Sequence, residues 1–260
     1  MELLALPAFA DNYIWMLHDG RRALVVDPGE AGPVESALDE HGLALAGILV
    51  THHHGDHVGG VDALRPRLQG PVFGPAAETI PEPFTGVRSG DSVDVLGLRF
   101  AVIDVPGHTR GHIAYFLAAP GTALDNPILF CGDTLFSAGC GRLFEGTPAQ
   151  MHTSLQRLAS LPGNTQVCCG HEYTLANLRF AATVEPDNED IRRHQAWCVE
   201  QRQRNEPTLP STVARERLIN PFLRADRPDV GRRAAQHART EAHSAVEVFA
   251  LLREWKNTFQ

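Results

Sequence analysis

The chain has 260 residues, 31 acidic against 23 basic, and a formal net charge of −8. With 43% apolar and 21% charged residues it has the composition of a globular protein rather than a disordered one, and no run approaches the roughly 18–20 apolar residues of a membrane span. An acidic chain is a poor non-specific nucleic-acid binder, and five cysteines without a CxxC pair speak against a disulfide framework and a cysteine-type zinc site. The start of the chain shows no basic leader or small-residue cleavage site, so a cytoplasmic protein without a membrane partner is expected.

Short runs rich in Val, Ile and Phe, separated by Gly, Pro and Asp, predict strands at 13–17, 23–26, 45–50, 98–105, 113–117, 128–131 and 166–169. Helical stretches at 33–41, 58–68 and 148–161 lie between them, each behind a Gly, Thr or Asp suited to starting a helix. The mixture predicts an α/β class. From residue 175 strand-like runs vanish, and 175–184, 187–205, 229–239 and 242–257 carry helical spacing. Residues 1–173 carry a net charge of −10 and residues 174–260 a net +2. A catalytic domain over 1–173 and an α-helical domain over 174–260 are expected, with different electrostatic tasks. Lys256 is the sole lysine, the other 22 bases being arginine.

The informative segment is Thr51-His52-His53-His54-Gly55-Asp56-His57, directly after a strand-like run. Side chains alternate in an extended chain, so His52 and His54 point one way and His53 another. Gly55 permits a sharp turn, after which Asp56 and His57 enter a helix. Four imidazoles and a carboxylate at this spacing suit two borderline metals bound by nitrogen and oxygen. One loop cannot close two coordination spheres. Three further segments repeat the pattern of strand, glycine and ligand: Gly107-His108, Gly132-Asp133 and Gly170-His171. Seven ligands result, five His and two Asp.

This constellation resembles the metallo-β-lactamase superfamily, which implies a four-layer αββα sandwich with metals at one edge and, here, a C-terminal α-helical domain. The segment from Gly132 to Thr147 containing Ala138-Gly139-Cys140-Gly141-Arg142-Leu143-Phe144-Glu145-Gly146, the Gly170-His171-Glu172-Tyr173-Thr174 segment, the opening Ala8-Phe9-Ala10-Asp11-Asn12-Tyr13 and the closing Asn220-Pro221-Phe222-Leu223-Arg224 are similar to the glyoxalase II (hydroxyacylglutathione hydrolase) family. The resemblance implies one ion on His52, His54, His108 and Asp133. It implies a second on Asp56, His57, His171 and Asp133, with Asp133 bridging. Zinc is the expected metal, with iron and manganese as alternatives. The implied reaction is hydrolysis of S-D-lactoylglutathione and other S-2-hydroxyacylglutathiones to the hydroxy acid and glutathione, in methylglyoxal detoxification. A metal-bridging hydroxide would attack, with Asp56 and Asp133 as the catalytic carboxylates. Two dications lower the pKa of bound water from about 15.7 towards 7.

The resemblance also implies that glutathione, the small-molecule partner, meets Arg142, Tyr173, Arg253 and Lys256. Arg253 and Lys256 are three apart on one helix face; the alternative for them is a solvated basic helix end. Two departures stand out: Phe144 replaces a tyrosine of some members, and Arg142 a lysine. Asp27 reads either as a strand-ending turn or as a support for the metal ligands. His53 and His112 read as supporting or structural residues. His18, His41, His152, His194, His237 and His243 read as surface or packing residues, and Cys140 as a packing residue. The rival function is a glutathione persulfide dioxygenase of the same superfamily. A β-lactamase reading fits the helical tail less well and an RNA-processing one the acidic charge, and a non-catalytic zinc-stabilised binding protein would be dismissed by any thioester turnover. A monomer without nucleic-acid partners is expected.

Overall fold

The apolar runs of the first hundred residues are too continuous to leave either face in water, and they build a covered sheet. The computed structural model describes residues 1–119 and 124–259. It forms β1 (Glu2–Ala8), β2 (Asn12–His18), β3 (Arg22–Val26), β4 (Ala44–Leu49), β5 (Val72–Pro75) and β6 (Thr85–Val87), hydrogen-bonded in that order. β1–β2 and β2–β3 are antiparallel, whereas β3–β4, β4–β5 and β5–β6 are parallel. Parallel neighbours need crossovers. Helix α1 (Gly32–His41) supplies the first; α2 (Gly55–Val58), α3 (Val61–Leu64) and a 3-10 turn over Arg65–Arg67 supply the second. Every residue of β2 is buried. Val34, Ala37 and Leu38 of α1 pack with Ile14, Met16, Val25 and Ile48 in one core cluster.

The second sheet contains β7 (Ser92–Val95), β8 (Leu98–Asp104), β9 (Ile113–Leu117) and β10 (Ile128–Gly132). A small hairpin of β11 (Leu135–Phe136) and β12 (Gly139–Cys140) follows, and then β13 (Gln166–Cys169) and β14 (Ser211–Thr212). Its order is β14-β13-β10-β9-β8-β7. The two sheets meet through their apolar faces: the Tyr115 hydroxyl of β9 donates to the Val50 carbonyl at 3.1 Å, and a side chain at Gly47 would press on Val95.

The remaining helices are α4 (Pro148–Ala159), α5 (Thr174–Val184), α6 (Glu189–Gln203), α7 (Val213–Ile219), α8 (Pro228–Ala238) and α9 (Ala245–Thr258). A Thr147–Gln150 capping box starts α4, and the side chains of Asn188 and Ser244 cap α6 and α9. By compactness the chain divides into two units. The first comprises Met1–Asp104, Arg110–Gly132 and Cys168–His171; the second comprises Val105–Thr109, Asp133–Val167 and Glu172–Gln260. Within the second, Leu178, Ala181, Ile191, Cys198 and Ile219 form a buried cluster with Ala138.

Two local expectations are corrected. The helix expected over 58–68 is broken into α2, α3 and the 3-10 turn. Gly59 and Gly60 run so close to the Pro28–Ala31 backbone that a Cβ at either would sit 2.6 Å from it, and this approach interrupts the helix. Beyond residue 175, β14 pairs with β13 through Gln166↔Thr212 and Val167↔Ser211. A two-residue strand leaves no period to read. β5, β6 and β7, of three or four residues, and the seven-residue β1 are likewise absent from the sequence expectation.

Candidate metal centre

Behind β4 the chain runs through Thr51 and the three histidines into α2. His52 is buried, and its Nε2 lies 3.0 Å from Nδ1 of His54. His53 points elsewhere, with Nδ1 2.9 Å from the Glu78 carboxylate, as the alternation requires. The His57 ring of α2 comes within 4.1 Å of the His52 ring, centroid to centroid. Asp27, at φ +52, accepts from the Thr51 N–H and hydroxyl at 2.7 Å each. It also lies 3.0 Å from Nδ1 of His57. The carboxylate therefore stands beside the buried His57 imidazole. Asp27 thus braces the Thr51 backbone and lies against His57 besides ending the strand. The buried His112 ring stacks on His52 at 4.6 Å.

His171 follows β13 and Gly170, and its Nε2 lies 3.3 Å from Asp56 Oδ2. Ligand atoms of Asp56, His57 and His171 all fall within 4.8 Å of one another. Nitrogen and oxygen donors at this separation, with no thiolate among them, suit a borderline divalent ion, and the His/Asp cluster is consistent with a dimetal site. Three supporting residues lack ligand spacing in the sequence: Asp11 on His171 at 2.9 Å, Asn12 on Asp56 at 3.0 Å, and Glu78 on His53. Only the similarity of the 8–13 segment to a family hinted at the first two.

The second unit holds the other two expected ligands. His108 Nδ1 donates to the Arg142 carbonyl at 2.8 Å, which turns Nε2 towards Asp133 Oδ2 at 3.4 Å. The approach is tight. A Cβ on Gly141 would lie 1.9 Å from the Asp133 carbonyl oxygen and 3.0 Å from His108 Nδ1. In the same unit a cavity of about 480 Å³ is lined by His108 and Asp133 together with Arg142, Tyr173, Arg253 and Lys256.

Arg253 is 6% exposed. It donates to the Cys140 carbonyl at 2.8 Å and to the Asn257 side chain at 3.2 Å, and so it braces the wall as well as lining it. Lys256 donates to the Ala176 carbonyl at 3.3 Å, with its ammonium 5.5 and 5.6 Å from the Phe180 and Phe259 ring centroids. Burial, reinforced by Arg253, Arg179 and Arg142, pushes its pKa down to about 8. Burial pushes the Cys140 thiol up, which suits packing rather than attack. Phe144 is exposed, and its ring stands 5.3 Å from that of His108. The other histidines pack on rings: His18 with His41, His152 on Phe249, His194 on Trp197 and His237 on Trp255. His243 is exposed.

Residues 9–171 match the family model described as the metallo-beta-lactamase superfamily, and residues 172–259 match that of the hydroxyacylglutathione hydrolase C-terminus. The chain is 56% identical over 259 residues to a hydroxyacylglutathione hydrolase of Albidiferax ferrireducens, covering 100% of both chains. It is 54% identical over 262 residues to one of Pseudomonas paraeruginosa, again covering 100% of both. Among solved structures, ETHE1 from Myxococcus xanthus superposes with a TM-score of 0.65 at 26% identity, over 97% of this chain and 90% of that one.

Proposed function

The chain belongs to the hydroxyacylglutathione hydrolases of the metallo-β-lactamase superfamily, and from that premise we propose that it hydrolyses S-D-lactoylglutathione to D-lactate and glutathione. It is a thioester hydrolase with an α/β metal domain and a C-terminal helical region. His52, His54, His108 and Asp133 would hold one divalent ion and Asp56, His57 and His171 a second, with Asp133 shared. Zinc is the first choice of metal for this nitrogen and oxygen donor set. When bound, the two ions supply an acidified water and polarise the thioester carbonyl.

The chain's own residues do the rest. The Arg142 carbonyl keeps His108 in the tautomer that presents Nε2, and the Asp27 carboxylate lies against His57. Arg142, Tyr173 and Lys256 take glutathione, and Arg253 secures the wall behind it. The leaving group is a thiol with a pKa of about 8.5, so it departs as an anion and needs no general acid. One observation carries the reading. A single cavity, within the roughly 300–1,000 Å³ of small-molecule sites, is lined both by two expected metal ligands and by four expected glutathione contacts.

Residues 1–173 serve as the catalytic domain in this reading and 174–260 as the glutathione-recognition domain. The protein acts as a cytoplasmic monomer in methylglyoxal detoxification. The glutathione persulfide dioxygenase alternative leaves the Asp56, His57 and His171 set without a task. The test is thioester loss from S-D-lactoylglutathione, with metal content measured on the same sample. Turnover with about two ions per chain supports the reading, whereas oxygen uptake on glutathione persulfide without thioesterase activity refutes it.

A further inference from the structure

The turn joining β1 to β2 lies against the second set of expected ligands. Phe9, at φ +50, bends the chain there, and its N–H is held by Glu30 at 3.0 Å. The next residues are tied to the segment around His171: the Tyr13 N–H donates to the Gly170 carbonyl at 2.8 Å, and Asn12 forms an isolated bridge with His171. Two side chains then reach the ligands themselves. Asp11 Oδ1 lies 2.9 Å from Nδ1 of His171, and Asn12 Nδ2 donates to Oδ2 of Asp56 at 3.0 Å. Asn12 is itself buried.

Resting on the reading that Asp56, His57 and His171 hold an ion, we propose that Asp11 and Asn12 are positioning residues for that ion and not for its neighbour. Oδ1 of Asp11 accepts from Nδ1 of His171, which leaves the lone pair on Nε2. It also fixes the orientation of the ring, as a carboxylate behind a ligating histidine does. Asn12 fixes the rotamer of Asp56, whose carboxylate is otherwise part exposed and could turn to water. Among the described residues, the side-chain hydrogen bonds of Asp11 and Asn12 go to His171 and Asp56. Their effect is therefore confined to one of the two ions. A turn near the start of the chain decides whether the second ion stays.

The experiment titrates metal-depleted full-length protein with zinc against a competing chelator and reads the stepwise binding constants. In Asp11→Ala and in Asn12→Ala one of the two constants weakens by about tenfold to a hundredfold, the range for supports of metal ligands, while the other holds. Asp11→Asn keeps an oxygen that accepts from Nδ1–H and recovers most of the loss. A turn that matters only for folding would lower the melting temperature of the metal-free protein and leave both constants alone. Unchanged constants in both alanine variants, or two constants weakened equally, overturn the proposal. Wild-type protein that binds fewer than two ions removes instead the reading on which it rests.

Discussion

Nη1 of Arg253 donates a 2.8 Å hydrogen bond to the carbonyl oxygen of Cys140, tying α9 to the hairpin of β11 and β12. The same guanidinium lies 5.0 Å over the Phe222 ring. Arg253 is thus part of the cavity wall, and Lys256, three residues on, is a lining cation with donors to give. One of its hydrogens goes to Ala176, and an ammonium has two more. A charge-assisted hydrogen bond to a glutathione carboxylate is worth roughly 1.5–3 kcal/mol. Lys256→Ala should therefore raise KM about ten- to a hundredfold at 1.4 kcal/mol per decade. The contact is remote from the carbonyl and equal in ground and transition states, so kcat should hold. Steady-state kinetics on S-D-lactoylglutathione measure both.

The depressed pKa of Lys256 adds a pH signature. Only the protonated ammonium attracts a carboxylate, and in the free protein it is lost as pH rises through about 8. KM of the wild type should climb above that pH, and kcat/KM should fall with it. Lys256→Arg should remove the climb, because a guanidinium stays charged. Lys256→Ala should show the high KM throughout. Matching profiles in all three proteins would assign the titration to another group.

Asp133 faces His108 within the second unit and is the proposed shared ligand. Asp133→Ala should lower bound metal and reduce turnover by at least about a hundredfold, on the scale of lost electrostatic stabilisation. Metal analysis and kcat on the same preparation decide it. Near-wild-type turnover with two ions bound would contradict the assignment.

Glu216 is fully buried on α7 and accepts from Ser137 Oγ at 3.0 Å, Ala138 N at 2.7 Å and Asn220 Nδ2 at 3.2 Å. These partners belong to the segment that continues from Asp133 and to the residue that ends α7. Glu216→Ala strands several buried donors, a loss of about 3–5 kcal/mol by analogy with broken buried pairs. Urea unfolding should show it, with Glu216→Gln costing clearly less because an acceptor oxygen remains.

His194 is pushed down to about 4, by burial first and by the Arg215 charge second. Its ordinary value is 6.5, so the unfolded chain takes up a proton that the folded one refuses. The stability it contributes is complete above pH 6.5 and drains away as pH falls towards 4. A His194→Gln variant should lose stability less steeply across that window, read as melting temperature against pH.

Some of this was written locally and some was not. The chain's order of strand, glycine and ligand placed His52, His54, Asp56, His57, His108, Asp133 and His171 at strand ends, because alternation and a tight turn act over a few residues and leave a period that can be read. The strands β2, β3, β4, β8, β9, β10 and β13 and the longer C-terminal helices were legible from their local pattern. Pairings between distant residues were not. Asp11 meets His171 across 160 positions and Glu78 meets His53 across 25, and neither contact leaves a spacing. Gly59 and Gly60 look like ordinary helix residues until the Pro28–Ala31 backbone arrives beside them. Composition and local pattern determined the class, the ligand types and the likeness to a family of hydrolases. Tertiary packing alone decided which nitrogen His108 and His171 present and which cations line the cavity, since both depend on groups that only folding brings together.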